Sequence, residues 1–125
     1  MEPLIIAAGA KTPYISLKPE SGAIEIKGKS IPENSVEFYQ PVLSWLDQYA
    51  EKPLTKTSVT VHLEYFNTSS SKCLLDIFRR LEKVHNATNE VTVLWLFEED
   101  DEDMQEAGDD YQSIVKIPFT IKPVE

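Results

Sequence analysis

The side chains best suited to binding or chemical modification lie in one short run, Asn67-Thr68-Ser69-Ser70-Ser71-Lys72. Four hydroxyl side chains stand in succession here, directly after a strand-like segment and directly before a helix-like one. One hydroxyl can serve as an N-cap, which accepts a hydrogen bond from an unpaired N–H group of the first helical turn. Because four hydroxyls exceed that need, the second interpretation is an anion or phosphoryl site. A phosphate on Thr68 or a neighbour would be stabilised by those N–H groups and by Lys72, and it would add about −1.5 to −2 charges.

The same run allows catalytic interpretations, and each has a weak basis. Ser69 and Lys72 match the S-x-x-K pattern of penicillin-binding proteins, but the chain contains neither an S-D-N nor a K-T-G element. A P-loop is excluded because no glycine precedes Lys72 at the required spacing. Cys73 lies in the first helical turn, where the helix dipole can lower a thiol pKa, although a buried structural cysteine is the commoner case.

Negative charge is concentrated in one acidic segment, residues 98–110. It holds nine Asp and Glu residues and no base, leaving 12 of the 21 acids to balance 12 Lys and Arg elsewhere. Nucleic acid and anionic membrane are therefore disfavoured as partners, since both require a basic surface. The segment lacks the D-x-D-x-D-G pattern of a calcium loop, and neither His62 nor His85 has a companion at ligand spacing. We expect no metal and no cofactor; the segment is a solvated face or a docking surface for a basic partner.

Length and composition indicate one domain over residues 1–125, since domains typically have about 100–150 residues. The longest mostly apolar run, Leu4 to Ala10, is too short to cross a bilayer. The N-terminus has no basic region typical of a secretion signal, and the single cysteine, Cys73, excludes an internal disulfide. These features predict a protein of the reducing cytoplasm.

Hydrophobic spacing predicts the strands that position these residues. Alternation over residues 14–27 across a Pro/Gly/Ser turn predicts a β-hairpin, and alternation over 57–66 predicts a further strand. The nearly continuous apolar run over 91–97 predicts a central strand buried on both faces. Residues 117–121 predict a last strand, which Pro118 favours at a sheet edge.

Apolar residues three and four apart predict two long helices, one over residues 38–49 and one ending at Val84. Ser30 and Glu33 fit a capping box for the first helix, and Pro41 is expected to kink or divide it. Part of the acidic segment is a weaker helix candidate. The predicted fold class is therefore α/β: a single-domain mixed β-sheet of about five strands, in the order β-β-α-β-α-β-α-β, with helices packed on it.

Over nearly its whole length the chain resembles the SiaC family of bacterial regulatory phosphoproteins. Five motifs carry the resemblance, in the same order along the chain: Thr12-Pro13-Tyr14-Ile15, Gly28 to Asn34, Phe38-Tyr39-x-Pro41-Val42-Leu43-x-Trp45-Leu46, Leu63 to Lys72, and Glu98 to Gly108. The layout is also similar to that of STAS domains and anti-sigma-factor antagonists, which carry a regulatory Ser or Thr at the start of a helix after a central strand. The expected fold is accordingly STAS-like.

The resemblance implies a non-enzymatic switch in a partner-switching pathway. A Ser/Thr protein kinase would phosphorylate Thr68, and a PP2C-type phosphatase would remove the phosphate. The unphosphorylated form would bind and activate a diguanylate cyclase and so promote biofilm formation. We expect the partner to dock on residues around Thr68 and on the turn that precedes the first helix: Asn67, Ser69, Ser70, Ser71, Lys72, Ser30, Glu33 and Asn34.

Overall fold

The computed structural model describes residues 1–124 and consists of a six-stranded sheet and three helices. The strands are β1 (Leu4–Ile6), β2 (Tyr14–Lys18), β3 (Ala23–Ser30), β4 (Lys56–Phe66), β5 (Glu90–Glu98) and β6 (Phe119–Val124). The helices are α1 (Ser35–Tyr49), α2 (Thr68–Val84) and α3 (Glu102–Ile114). The predicted mixed sheet with helices packed on it is confirmed, with six strands instead of about five.

The strands lie across the sheet in the order in which they occur in the sequence. The pairs β1–β2 and β2–β3 are antiparallel, whereas β3, β4, β5 and β6 are parallel neighbours. Each helix therefore connects two adjacent parallel strands, and every step goes in the same direction across the sheet. Because such crossovers are right-handed, the three helices lie on one face.

The core fills the space between the sheet and these helices. Alternate residues of the central strands, such as Val61 in β4 and Trp95 in β5, are fully buried against the helices. The residues between them, including His62, Leu94 and Leu96, are only half-buried on the opposite face. The prediction that β5 is buried on both faces is therefore wrong, because no crossover places a helix on that second face.

The strand missing from the sequence prediction is β1, which has three residues and pairs only with β2 at the sheet edge. So short a segment offers too few alternations for a period to be recognised. The predicted hairpin is confirmed as β2 and β3, with Gly22 at φ 71° in the turn. The last strand starts just after Pro118 and lies at the edge, as expected.

The start of α1 differs from its prediction. The N-cap is Asn34, whose side-chain oxygen accepts from the backbone N–H of Glu37 at 3.1 Å. Ser30 instead ends β3, so Ser30 and Glu33 do not form the predicted capping box. Pro41 does not divide the segment, because one helix runs through it from Ser35 to Tyr49.

The acidic segment folds into a longer helix than its weak prediction suggested. Asp101 caps α3 by accepting from the N–H of Met104 at 3.0 Å, and the buried Trp95 donates its indole N–H to the Met104 carbonyl at 2.9 Å. Most of the acids are exposed on this helix or lie at its positive N-terminal end, which reduces their mutual repulsion. Within residues 1–124, no helix is both long enough and apolar enough to span a membrane.

Candidate regulatory site at the start of helix α2

The hydroxyl-rich run lies where β4 ends and α2 begins, at the carboxyl end of the parallel strands. Asn67 has an extended backbone, and its side-chain oxygen accepts from the N–H of Ser70 at 2.9 Å. The carbonyl of Asn67 accepts from the N–H of Ser71 at 3.1 Å. The N-cap is thus an amide and not one of the hydroxyls, so all four hydroxyls are free for other roles.

Thr68 is the first residue of α2 and is exposed to solvent. Among residues 1–124, no hydrogen-bond partner satisfies its hydroxyl. The Lys72 side chain is exposed one turn further along the same helix, at the spacing from which it can reach Thr68. Thr68 therefore combines an accessible, unpaired hydroxyl with a nearby cation and the positive end of a helix.

The next two hydroxyls take part in a hydrogen-bond network that is buried at Ser70 and reaches the surface at Ser69. Ser70 has no exposed surface, and its hydroxyl donates to the Ser30 carbonyl at 3.0 Å and accepts from the Ser30 hydroxyl at 2.8 Å. The Ser30 and Tyr39 hydroxyls are 2.6 Å apart. Ser69 is held by the Ser35 hydroxyl at 2.7 Å and by the Asn67 side chain at 3.2 Å. This network fixes the start of α2 against the start of α1.

Burial keeps the Tyr39 hydroxyl of this network in its neutral form. Removal of the Tyr39 side chain from water raises its pKa to about 12, although the hydrogen bond with Ser30 acts in the opposite direction. Tyr39 and Ser35 were not among the predicted site residues. The sequence did contain a signal for the burial of Tyr39, because Tyr39 lies three residues before the apolar Val42 and therefore on the same face of the helix.

The predicted partner surface is brought together only in part. The turn before α1 does lie beside the start of α2, since the Asn67 N–H donates to the Ser30 carbonyl at 3.0 Å. Glu33 and Asn34 are exposed there. Ser30 and Ser70 are fully buried, so they can influence a partner only by positioning their neighbours.

The start of α2 also stands out in its charge. Its first turn carries no carboxylate, whereas α1 has Glu37 and α3 has Glu102 and Asp103 at the equivalent places. Carboxylates are favourable at helix N-termini because they offset the partial positive charge of the unpaired N–H groups. Helix α2 lacks that compensation, and an added anion would supply it.

The remaining chemical candidates have structural roles. Cys73 is buried, and burial together with the nearby Asp76 carboxylate raises its thiol pKa, which is the reverse of thiolate activation. His85 ends α2 and accepts from the N–H of Val91 at 3.0 Å through Nδ1. The Nε2 atom of His62 lies 3.5 Å from the Glu98 carboxylate, too poorly aligned for a hydrogen bond. Residues 1–124 contain no group of three ligands suited to a metal ion.

Thr68 thus presents a solvent-exposed hydroxyl with no partner among residues 1–124, at a helix start whose first turn carries no carboxylate. The chain belongs to the SiaC family: a family model described as "SiaC family regulatory phosphoprotein" matches residues 6–124. It is accordingly a regulatory protein and not an enzyme.

Individual relatives agree with this assignment. An uncharacterized protein of Pseudomonas aeruginosa (strain UCBPP-PA14) is 29% identical over 122 residues, which cover 98% of this chain and 97% of the relative. The crystal structure of apo-SiaC from P. aeruginosa matches with a TM-score of 0.86 at 28% identity, covering 98% of this chain and 99% of that one. A crystal structure of the diguanylate cyclase SiaD in complex with its activator SiaC, also from P. aeruginosa, gives a TM-score of 0.90 at 28% identity, covering 97% and 99%.

Proposed function

We propose that this protein is a switch whose unphosphorylated form binds and activates a diguanylate cyclase, and that phosphorylation of Thr68 turns the switch off. The observation that carries the proposal is the sorting of the hydroxyls at the start of α2. Thr68 is exposed and its hydroxyl has no partner among residues 1–124, whereas the exposed Ser69 is bonded to Ser35, Ser70 is sealed in the core and Ser71 is half-buried. A similar SiaC has been seen in complex with a cyclase that it activates, which supports the choice of partner.

The proposal includes the enzymes that set the switch. A Ser/Thr protein kinase adds the phosphate in the cytoplasm, a PP2C-type phosphatase removes it, and the output of the cyclase promotes biofilm formation. Kinase and phosphatase must both reach residue 68, and the exposure of Thr68 at the end of the sheet meets that requirement.

Phosphate blocks docking by charge and by bulk. It brings about −1.5 to −2 charges to a helix start that otherwise presents free N–H groups and Lys72. Partner groups that use those donors lose them to the phosphate. At about 1 kcal/mol for each lost contact, the loss of a few contacts weakens binding by tens of fold or more.

A second candidate is an adaptor that docks a basic partner through the acidic segment 98–110, independently of phosphorylation. The exposure of most of its acids favours it as an interaction surface. The hydrolase interpretations have no such support, because Ser69 is bonded to Ser35 and Cys73 is buried with a raised pKa.

The binding experiment compares the wild type with Thr68→Ala and Thr68→Asp, using calorimetric titration against the diguanylate cyclase from the same cells. We expect Thr68→Ala to bind within a few-fold of the wild type and Thr68→Asp to bind at least tenfold more weakly. Gln48→Glu, which adds one charge at an exposed position of α1, is the control and should bind like the wild type. Equal binding by all four proteins would refute the switch.

Phosphopeptide mass spectrometry on protein from its native cells identifies the acceptor. We expect the phosphate on Thr68 and a loss of the modified peptide in Thr68→Ala. A phosphate on Ser69 or Ser71, or no phosphate under any growth condition, would contradict the assignment and would favour the adaptor.

A further inference from the structure

The face of the sheet opposite the helices, called the open face here, presents its side chains in rows. The pairing register places one residue of each neighbouring strand side by side, and two such rows cross the middle of the open face. The Glu25 row runs from β1 to β6 and consists of Ile5, Ser16, Glu25, Thr60, Leu94 and Thr120. The Lys27 row lies two residues further along the parallel strands and consists of Tyr14, Lys27, His62, Leu96 and Lys122.

The open face carries apolar side chains that nothing in residues 1–124 covers. Leu94 and Leu96 are neighbours on this side of β5 and are only half-buried, since the three helices pack on the other side. Ile5 on β1 is 50% exposed. Covering these side chains would remove apolar surface from water, which favours an association on this face.

The open face is electrically balanced, whereas the whole chain has a net charge of −9. The register places Lys and Glu in equal numbers on it: Lys18, Lys27, Lys56 and Lys122 against Glu25, Glu64, Glu90 and Glu98. The excess of acid lies elsewhere, mainly on α3 and in the turn before it. A second copy of this chain therefore meets less repulsion at the open face than it would beside α3.

The order of the charges on β3 favours one way of stacking two copies. A two-fold axis that runs across the strands, midway between the two rows, places every strand over the same strand of the second copy, in the opposite direction. The Glu25 row of each copy then lies over the Lys27 row of the other. On β3 this arrangement makes Glu25 face Lys27, and on β5 it makes Leu94 face Leu96. Two-fold symmetry produces each of these contacts twice.

A two-fold axis that runs along the strands gives poor contacts. If the axis passes between β4 and β5, Lys27 lies over Lys122 of the second copy, because both belong to the same row. If the axis follows β4, Lys27 lies over Leu96 instead. The first arrangement opposes like charges, and the second covers a charge with an apolar side chain. Charge complementarity therefore selects the axis across the strands.

We propose that the open face binds a second copy of this chain around that axis. Within one copy, Nζ of Lys27 already lies 3.1 Å from Oε2 of Glu25. Stacking joins two such pairs into a cluster of four alternating charges, and the leucines of the two copies cover each other beside it. Two sheets stacked in this way resemble the aligned layers of a β-sandwich, which lie about 10 Å apart.

The size of the open face sets the expected strength of this dimer. Five strands about 4.8 Å apart and seven residues deep, at about 3.3 Å for each residue, cover roughly 550 Å² on each copy. The total of roughly 1,100 Å² is close to the lower limit of about 1,000 Å² for a specific interface. We therefore expect a dimer that dissociates on dilution.

The dimer goes beyond the proposed function and does not depend on it. Because the helices lie on the other side of each sheet, they point outward from the dimer. Thr68 stays exposed in both copies, so the dimer presents two such sites on opposite sides.

Charge reversal on β3 tests the proposed contact. Glu25→Lys and Lys27→Glu each place like charges over each other in the dimer. Sedimentation velocity over a concentration series should show a dimer for the wild type and at least tenfold weaker association for each variant. The matched controls are Glu51→Lys and Lys83→Glu, two exposed reversals on the helix side of the molecule, and their association should stay within twofold of the wild type.

A mixture of the two β3 variants gives the sharpest result. In equal amounts, a chain with two lysines at these positions meets a chain with two glutamates, so opposite charges again face each other. We expect the mixture to associate within a few-fold of the wild type, although each variant alone does not. Loss of the pair within one copy cannot produce this rescue, because neither chain in the mixture regains that pair.

The apolar part of the contact is tested by Leu96→Glu, which should weaken association at least tenfold. Val36→Glu is its control, since Val36 is 69% exposed on α1, and it should leave association unchanged. Circular dichroism and urea midpoints establish that each variant is folded, and the mixture of charge variants decides the question if Leu96→Glu does not fold.

Three outcomes would overturn the dimer: a wild type that stays monomeric at every concentration, charge variants that associate as the wild type does, or a mixture that fails to regain association. Controls that weaken association as much as the open-face variants would place the contact elsewhere and overturn it as well. The measurements involve neither the phosphate nor the cyclase, so a failure here leaves the proposed function standing.

Discussion

Helices α2 and α3 begin near each other in the fold, but only α3 carries acidic residues in its first turn. Both follow a parallel strand and start at the same edge of the sheet. At the start of α3, Asp101 is the cap and Glu102 and Asp103 follow in the first turn. At the start of α2, the cap is the neutral Asn67, and Thr68 follows without any carboxylate in the first turn.

In the proposed switch, this difference separates built-in carboxylates at α3 from an anion that is added at α2. The carboxylates at α3 offset the partial positive charge of its free N–H groups. At α2 the same electrostatic requirement is left open, and an exposed hydroxyl lies where an anion is favoured. The charge at the start of α3 is thus fixed by its own residues, whereas under the proposed function the charge at the start of α2 changes with a single modification.

The largest stability effect is expected where α3 touches the sheet. A Cβ atom at Gly108 would lie 2.5 Å from Cδ1 of Trp95, whose ring is fully buried and held by its hydrogen bond to the Met104 carbonyl. Gly108→Ala should therefore lower the free energy of unfolding by about 1–3 kcal/mol through overpacking, even though alanine gains up to about 1 kcal/mol in helix propensity. Urea denaturation measures it.

The control for this prediction is Gln105→Ala, an exposed change in the same helix that should stay within about 0.5 kcal/mol of the wild type. A Gly108→Ala protein as stable as the wild type would show that α3 can shift on the sheet and would contradict the tight packing of Gly108 on Trp95.

Reversing the charge state of each cap residue, Asn67→Asp in α2 and Asp101→Asn in α3, should change the free energy of unfolding in opposite directions and by an intermediate amount. Asn67→Asp keeps the cap and adds a charge to the uncompensated start of α2, so it should raise the free energy of unfolding by about 0.3–1 kcal/mol. Asp101→Asn keeps the cap and removes a charge from α3, so this change should lower the free energy of unfolding by a similar amount. Urea denaturation at low and high salt measures both, and both differences should shrink with salt. Destabilisation by Asn67→Asp would contradict an open anion position at α2.

The smallest effect concerns the far end of α2, where Glu82 accepts from Arg79 at 2.9 Å and from the N–H of Lys116 at 2.6 Å. Partial burial raises the pKa of Glu82, but these hydrogen bonds lower it more, so the folded pKa lies below its usual value. The ionised carboxylate therefore stabilises the fold at pH values above about 4.3, and this contribution is lost as the pH falls through the lower, folded value.

Glu82→Gln should consequently cost less than about 1 kcal/mol at pH 7, since the pair is near solvent and screened, and the difference from the wild type should disappear in acid. Urea denaturation at several pH values between 7 and 3 measures it. Glu106→Gln, an exposed change on α3, is the control and should leave this pH dependence unchanged. A Glu82→Gln difference that persists in acid would show that the hydrogen bonds do not depend on the charge.

Several elements could be predicted because their signals are local. The alternation of Val59, Val61 and Leu63 marks β4, and the three- and four-residue spacing of the apolar side chains marks α2. That α2 starts within the hydroxyl-rich run follows from the capping preference of the residue types there, although the cap is Asn67 and not one of the hydroxyls. The resemblance to the SiaC family added the choice of Thr68 among the hydroxyls, which composition alone left open.

Other features depend on residues far apart in the chain. Ser70 meets Ser30 across 40 positions, and Tyr111 meets the Ser71 carbonyl across another 40. Capping motifs and hydrophobic periods contain no information on such pairs, so the predicted capping role of Ser30 was wrong and its contact with Ser70 was not foreseen. The single covered face of the sheet likewise follows from the direction of the crossovers, which sequence patterns did not reveal.

Local sequence therefore indicated most of the helices and strands and which side chains are apolar, because capping and hydrophobic spacing act over only a few residues. The tertiary structure decided that, of the adjacent hydroxyls, Ser70 is enclosed, Ser69 is bonded to Ser35, and Thr68 is exposed with no partner among residues 1–124. Successive residues of a helix point in directions about 100° apart, so the position of α1 determines that Ser70 is enclosed and Thr68 is open.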